Sequence, residues 1–227
     1  MTLLLLDLDD TLVDRRRILG QLIADFIASH RLADEDRSWI EALDGSGLTP
    51  RKDFFAGVVQ RLALSAAVPD LVDEWTHNFP ARYRCDTGVR EALIDARAQG
   101  WSLAVVTNGD ATVQGRKATA AGLDELVDAV CISEAVGVRK PERRIFEIAA
   151  ERAGVPLEDG WMIGDNPEAD IDGGRGAGLR TVRLSRGRTW PYDDFAPDQQ
   201  APGPASAIRQ VIRPTGRDSP SASCGSR

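Results

Sequence analysis

Leu3-Leu4-Leu5-Leu6-Asp7-Leu8-Asp9-Asp10-Thr11-Leu12-Val13-Asp14 is the stretch from which the rest of the chain can be read. A short all-apolar run that stops at a carboxylate predicts a strand buried on both faces, delivering Asp7 and Asp9 at its carboxyl end. Side chains alternate along an extended chain, so Asp7 and Asp9 share a face. Two carboxylates placed this closely repel each other, and the arrangement is tolerated chiefly where a divalent cation or a cationic side chain neutralises them. Taken alone, the spacing reads more readily as a strand followed by an acidic loop. Three later stretches, in a fixed order, make it a candidate site.

Working outward, Asp14 can cap a helix whose apolar residues Ile18, Leu19, Leu22, Ile23, Phe26 and Ile27 recur at helical spacing. A second helical pattern runs through Leu32, Trp39, Ile40 and Leu43 and ends at Asp44-Gly45-Ser46-Gly47. Thr49-Pro50 supplies the cap and first-turn proline of a third, with Phe54, Phe55, Val58, Val59 and Leu62 as its stripe. Pro69 opens a fourth, carrying Leu71, Val72, Trp75 and Phe79. Residues 15–84 therefore read as an all-helical insert, a cap between the first strand and the remainder.

From Asp86 the pattern becomes helix, glycine, apolar strand, repeated. Val89, Leu93 and Ile94 mark a helix, and Trp101–Val106 is a strand that empties into Thr107-Asn108-Gly109. Leu126–Ile132, Trp161–Ile163 and Arg180–Leu184 read as further strands, the second ending in Gly164-Asp165 and leading into a glycine-rich helix. Strands alternating with helices through short loops imply an α/β fold with a doubly wound, parallel, Rossmann-like sheet, built from residues 1–14 and 85–195. In such sheets the site lies at the carboxyl ends of the strands, where Asp7, Asp9, Thr107 and Asp165 all fall. Residues 196–227, rich in Pro, Gly, Ser and Gln, hold one short apolar island from Ala207 to Ile212. They read as a partly disordered C-terminal segment, and whether residues 196–212 pack on the core stays open.

The chain has 227 residues, 42% of them hydrophobic and 28% charged, which is the composition of a soluble globular protein. A net charge of -7 argues against a broad nucleic-acid surface. Cys85, Cys131 and Cys224 are widely separated and carry no CxxC spacing, so neither a disulfide framework nor a zinc site is indicated. Cys131 reads as a small buried hydrophobe, and His30 and His77 as packed or solvated helix positions. No signal peptide or membrane span is apparent, and a cytoplasmic location is the expectation.

The ordered set Asp7-Leu8-Asp9-Asp10-Thr11, Thr107-Asn108-Gly109, Lys140-Pro141 and Gly164-Asp165 with Asp170 five residues on resembles the haloacid dehalogenase superfamily. The resemblance spans residues 2 to about 187, includes all four motifs of that superfamily, and places the helical insert where its members carry a cap. It implies that Asp7 is the nucleophile that forms a phosphoaspartate, a role for which a carboxylate at a strand tip is suited. Asp9, on the same face, can protonate the leaving alkoxide and later activate water. The dehalogenases that name the superfamily lack this second aspartate, whereas its phosphatases and phosphomutases keep it. Thr107 and the backbone N–H groups of Asn108 and its neighbours suit a phosphate oxygen, although Thr-Asn-Gly is also simply a good turn. Lys140 reads by itself as a solvated charge, and the resemblance assigns it to offset Asp7 and the phosphoryl group.

Mg²⁺ prefers a few hard oxygens, for which Asp7, the Asp9 carbonyl and Asp165 suffice, with Asp170 behind them. Asp10, Asp14, Glu168 and Asp172 read as a turn residue, a cap and solvated positions. Arg15-Arg16-Arg17 admits two readings, contact with an anionic substrate from the hinge or a solvated basic run. Gly45-Ser46-Gly47 with Arg51 and Lys52 is the candidate loop over the site. The functional expectation is a Mg²⁺-dependent phosphatase acting on a small phosphorylated metabolite. A phosphomutase and a non-catalytic binding domain of the same fold are the alternatives. Substrate and oligomeric state are not readable from the sequence.

Overall fold

The alternating leucines of the first strand divide between the two faces of one sheet. In the computed structural model, which describes residues 1–47 and 49–213, β1 (Thr2–Leu6) sends Leu4 and Leu6 into one apolar layer and Leu3 and Leu5 into the other. The run is apolar throughout because both faces are covered. After β1 come four helices, α1 (Arg15–His30), α2 (Arg37–Leu43), α3 (Arg51–Leu62) and α4 (Val68–Ala81), with no strand among the described residues between them. The chain then alternates: α5 (Thr87–Ala98), β2 (Trp101–Thr107), α6 (Ala111–Ala120), β3 (Ala129–Ile132), α7 (Ser133–Val136), α8 (Arg143–Ala153) and β4 (Trp161–Gly164). A π-helical turn at Pro167–Asp172 runs into α9 (Gly173–Gly176), and β5 (Arg180–Leu184), β6 (Gln199–Ala201) and α10 (Pro204–Ile212) follow.

The strand order is β3-β2-β1-β4-β5-β6, every pairing parallel. Chain order reverses on either side of β1, so the crevice of the doubly wound sheet opens at its tip, between β2 and β4. Leu6 lies beside Val105 on one flank and Ile163 on the other, and Asp7 N–H continues the ladder to the Ile163 carbonyl at 2.9 Å. Asp7, the residues after Thr107 and the residues after Gly164 therefore emerge side by side.

One layer packs α5 and α10 with the four-helix insert; the other packs Ile145, Phe146, Ala149 and Ala150 of α8 against Val106, Cys131 and Met162. Within the insert, Phe26, Phe54, Phe55, Trp75, Phe79 and Tyr83 form a chain of ring contacts 4.9–6.2 Å between centroids, which ties α1, α3 and α4 together.

Several expectations change. Ile94 is 52% exposed, and the buried stripe of α5 is Val89, Ala92, Leu93 and Ala96. β3 begins at Ala129, because Leu126 and Val127 are buried in the turn before it. The glycine-rich helix is the short α9, and a π-helical turn without glycine precedes it. The C-terminal segment, whose packing the residue pattern leaves open, lies on the core. Residues 199–201 are a sixth parallel strand, and the apolar island is the inner face of α10, with Ala207, Ile208, Val211 and Ile212 all buried. Asp198 fastens this segment by accepting from Thr181 N–H at 2.7 Å and Thr181 Oγ1 at 2.9 Å. Four apolar residues at i, i+1, i+4 and i+5 suffice for a short amphipathic helix when Pro204 begins it. Cys85 and Cys131 are buried free thiols. Cys224 and the expected disorder of the last residues fall outside the described residues.

Because Ile208 is fully buried between α5 and the sheet, Ile208→Ala should lower unfolding free energy by about 2–5 kcal/mol in urea titration. A loss below about 1 kcal/mol would show that α10 is not part of the core.

Candidate active site

Lys140, 4% exposed, is the point at which the loops converge. Its Nζ donates to Asp7 Oδ1 at 2.6 Å and to Asp170 Oδ1 at 2.7 Å. Burial alone would lower its pKa, but Asp170 and Asp7 outweigh that and hold the ammonium well above its ordinary value. Its backbone is held as firmly as its side chain: Asn108 Nδ2 donates to the Lys140 carbonyl and Lys140 N–H donates to Asn108 Oδ1, both at 2.9 Å. Asn108 thus spends its amide on positioning the lysine. Asp170 is fully buried and accepts from Asn166 N–H at 2.9 Å through its other oxygen.

Two glycines allow this convergence. A Cβ on Gly164 would stand 2.2 Å from Asp170 Oδ2, and one on Gly173 would stand 2.8 Å from Pro141 Cα. Any side chain at either position would push the Asp170 turn away from the Lys140 loop.

The two aspartates of the first motif face different partners. Burial, repulsion from Asp170 and repulsion from Asp9 outweigh the attraction of Lys140 and push Asp7 up to about 7. Asp9 is bound instead by Lys117, whose Nζ donates at 2.9 and 2.7 Å to its two oxygens, and by Gln114 Nε2 at 3.0 Å. Burial would raise Asp9, yet Lys117 holds it below the usual carboxylate value. Gln114 also donates to Thr107 Oγ1 at 2.6 Å, so one side chain fixes both Thr107 and Asp9. Gln114 and Lys117 are absent from the sequence-based site, because nothing in the residue pattern of α6 separates a Gln and a Lys that folding buries from solvated ones.

Asp165 follows β4 and is pushed up to about 6, by burial and then by Asp7, with Arg188 opposing at 2.8 Å. Carboxylate oxygens of Asp7, Asp165 and Asp170 lie within 4.8 Å of one another. Asp170 commits its oxygens to Lys140 and Asn166, whereas Asp7 and Asp165 keep an excess of negative charge that a small hard cation would neutralise. Such a donor set fits a divalent metal with oxygen ligands.

These residues line a cavity of about 790 Å³ whose opposite wall comes from the helical insert: Thr49, Pro50, Arg51, Trp75, Thr76 and Phe79. Of the basic run, Arg17 is exposed, Arg16 pairs with Asp10 at 3.2 Å, and Arg15 is buried against Asp44 at 2.7 Å. Asp10 sits in the left-handed region at φ 58° as a turn residue, and Asp14 caps α1 by accepting from Arg17 N–H. Glu168 accepts from the Tyr192 hydroxyl and lines the cavity, so it is not merely solvated.

The model of the haloacid dehalogenase-like hydrolase family matches residues 1–178. A phosphoserine phosphatase of Thermus thermophilus is 33% identical over 87% of this chain and 94% of its own length. A glyceraldehyde 3-phosphate phosphatase of Methanopyrus kandleri is 36% identical over 56% of this chain and 55% of its own length. Among solved structures, the magnesium-bound HAD-hydrolase YfnB of Bacillus subtilis superposes with a TM-score of 0.75 at 20% identity, covering 93% of this chain and 98% of that one. The fold, the convergence on Lys140 and the extent of the sequence match lead to one conclusion: this chain belongs to the haloacid dehalogenase-like hydrolase family.

Proposed function

We propose that the chain is a Mg²⁺-dependent phosphatase that hydrolyses a small phosphomonoester through a phosphoaspartate on Asp7. The observation that carries this reading is the separation of the two aspartates, Asp7 held by Lys140 and Asp9 by Lys117, within one cavity. Two neighbouring carboxylates with different cationic partners suit two different tasks. Similarity to named phosphatases supports hydrolysis over transfer to a second sugar.

In the first step an Asp7 oxygen attacks phosphorus and the bond from phosphorus to the ester oxygen breaks. Lys140, fixed at side chain and backbone, holds Asp7 in place and offsets charge on the phosphoryl oxygens. Thr107, oriented by Gln114, is placed to hold one of those oxygens. The departing alkoxide takes its proton from Asp9, for which the Lys117 ammonium 2.7 Å away is the nearest source. In the second step Asp9 accepts a proton from the attacking water and returns it to Lys117, as oxygen bonds to phosphorus and the bond from phosphorus to Asp7 breaks. Asp7, the Asp9 carbonyl and Asp165 would hold Mg²⁺, which when bound supplies charge neutralisation and alignment of the phosphoryl group. The insert wall, with Trp75 and Phe79, acts as a cap that excludes bulk water from the cavity.

Asp7→Asn should abolish turnover, since an amide is a poor nucleophile. Asp9→Asn should slow both steps, but with p-nitrophenyl phosphate the good leaving group spares the first more than the second. Rapid acid quench and intact-mass analysis should therefore show an added phosphoryl group on Asp9→Asn and none on Asp7→Asn. Finding the group on Asp7→Asn, or on a Ser or His peptide of the wild type, would sink the mechanism.

Asp7 at about 7 and Asp165 at about 6, against an ordinary 3.8, bind protons in the folded chain that the unfolded chain releases. Their stabilising contribution is complete below the unfolded value and disappears as pH rises through about 6 and about 7. Metal-free protein should therefore melt at a higher temperature at about pH 5.5 than at about pH 8, and saturating Mg²⁺ should raise the pH 8 value more. Calorimetry showing no pH trend, or no greater gain at the higher pH, would contradict this account of the cluster.

A further inference from the structure

Across the cavity from Lys140, the insert carries a second buried ionic cluster. Asp44, fully buried, accepts from Arg15 Nη2 at 2.9 and 2.7 Å and from Arg51 Nη2 at 2.6 Å. Both arginines line the cavity. One carboxylate facing two guanidinium groups leaves the cluster with a net positive charge. A pin between α1 and the loop before α3 would need only one arginine, and even partly burying a second cation is costly unless something offsets it. Arg51 is also incompletely satisfied. It lies 5.1 Å from the Phe54 ring and 5.6 Å from the Trp75 ring, and among the described residues its enclosed Nη1 finds no acceptor.

Both guanidinium groups lie on the wall of the cavity that holds Asp7, Asp9 and Lys140. An anionic group on a ligand would meet a preformed guanidinium in a desolvated wall, where charge-assisted hydrogen bonds are strongest.

We infer that the substrate carries a second anionic group besides the phosphoryl group that is removed, and that Arg51 receives it. Arg15 holds Asp44, and Asp44 in turn holds the Arg51 guanidinium at the cavity wall. The inference rests on the phosphatase reading and narrows it from any small phosphomonoester to one bearing a carboxylate or a second phosphate. The cavity, at about 790 Å³, has room for both ends of such a molecule.

The test compares pairs of substrates that differ in the second group alone, using full-length protein with Mg²⁺. The pairs are 3-phosphoglycerate with glycerol 3-phosphate, O-phosphoserine with O-phosphoethanolamine, and 1,3-propanediol bisphosphate with 3-hydroxypropyl phosphate. In at least one pair the wild type should favour the anionic member by about tenfold or more in kcat/KM. Preference in the first two pairs identifies a carboxylate, and in the third a phosphate. Arg51→Met should bring the ratio within about threefold, with the change in KM of the anionic member. If Arg51→Met does not fold, Arg51→Gln, which keeps a donor for Asp44, carries the same expectation. The proposal is overturned if no pair shows more than about threefold preference, or if a folded Arg51 variant keeps the wild-type ratio. A wild type that fails to hydrolyse even p-nitrophenyl phosphate would instead remove the phosphatase reading, and the subsite with it.

Discussion

The ammonium of Lys140, held between the buried carboxylates of Asp7 and Asp170, is the interaction on which the rest of the site depends. It joins the tip of β1 to the turn after β4, and Asn108 joins the same residue to the end of β2. Three loops that are distant in sequence thereby share one charge. Removing the ammonium would leave two carboxylates facing each other in a dry environment, where repulsion is little screened. The close approach needed for this geometry explains Gly164 and Gly173 better than any local turn requirement does, since a Cβ at either place would meet Asp170 or Pro141.

Around that centre, burial separates charges that would otherwise behave alike. Asp7 and Asp165 are raised because burial and repulsion from neighbouring carboxylates outweigh their cationic neighbours. Asp9, a few residues away, is lowered because Lys117 and Gln114 commit two side chains of α6 to it. The same arrangement recurs on the insert, where Asp44 binds Arg15 and Arg51 beneath the aromatic cluster of Phe54 and Trp75. The cavity is thus bounded by paired charges on both walls, and those pairs join elements that the chain order keeps apart.

Much of this follows from residue pattern. Leu3–Leu6 ending at Asp7 reads as a doubly buried strand, and the fold divides those leucines between two layers. The four helical stripes and the alternation after Asp86 mark the insert and the parallel sheet. Pattern fails where an element is short or its apolar residues are few. β6 has three residues, and α10 lies in a stretch whose Pro and Gly content resembles a disordered tail. Ile94 fits a helical stripe by type yet faces solvent, because the stripe of α5 turns toward Ala92 and Ala96.

Local residue pattern is enough for the long helices and strands of the core and for naming candidate groups at their ends. Hydrophobic periodicity is a local property, and the carboxylates, Thr107 and Lys140 stand beside recognisable strand ends and helix starts. Which charge meets which depends on folding. Lys117 looks like a solvated helix lysine, Arg15 like part of a basic run, and Asp44 like a helix-ending turn residue, until folding brings them to buried partners 108 and 29 residues away. The physical reason is that the protonation and orientation of a buried ionic group are set by whatever charge lies within a few ångströms, and that distance is a property of packing, with no counterpart in local sequence.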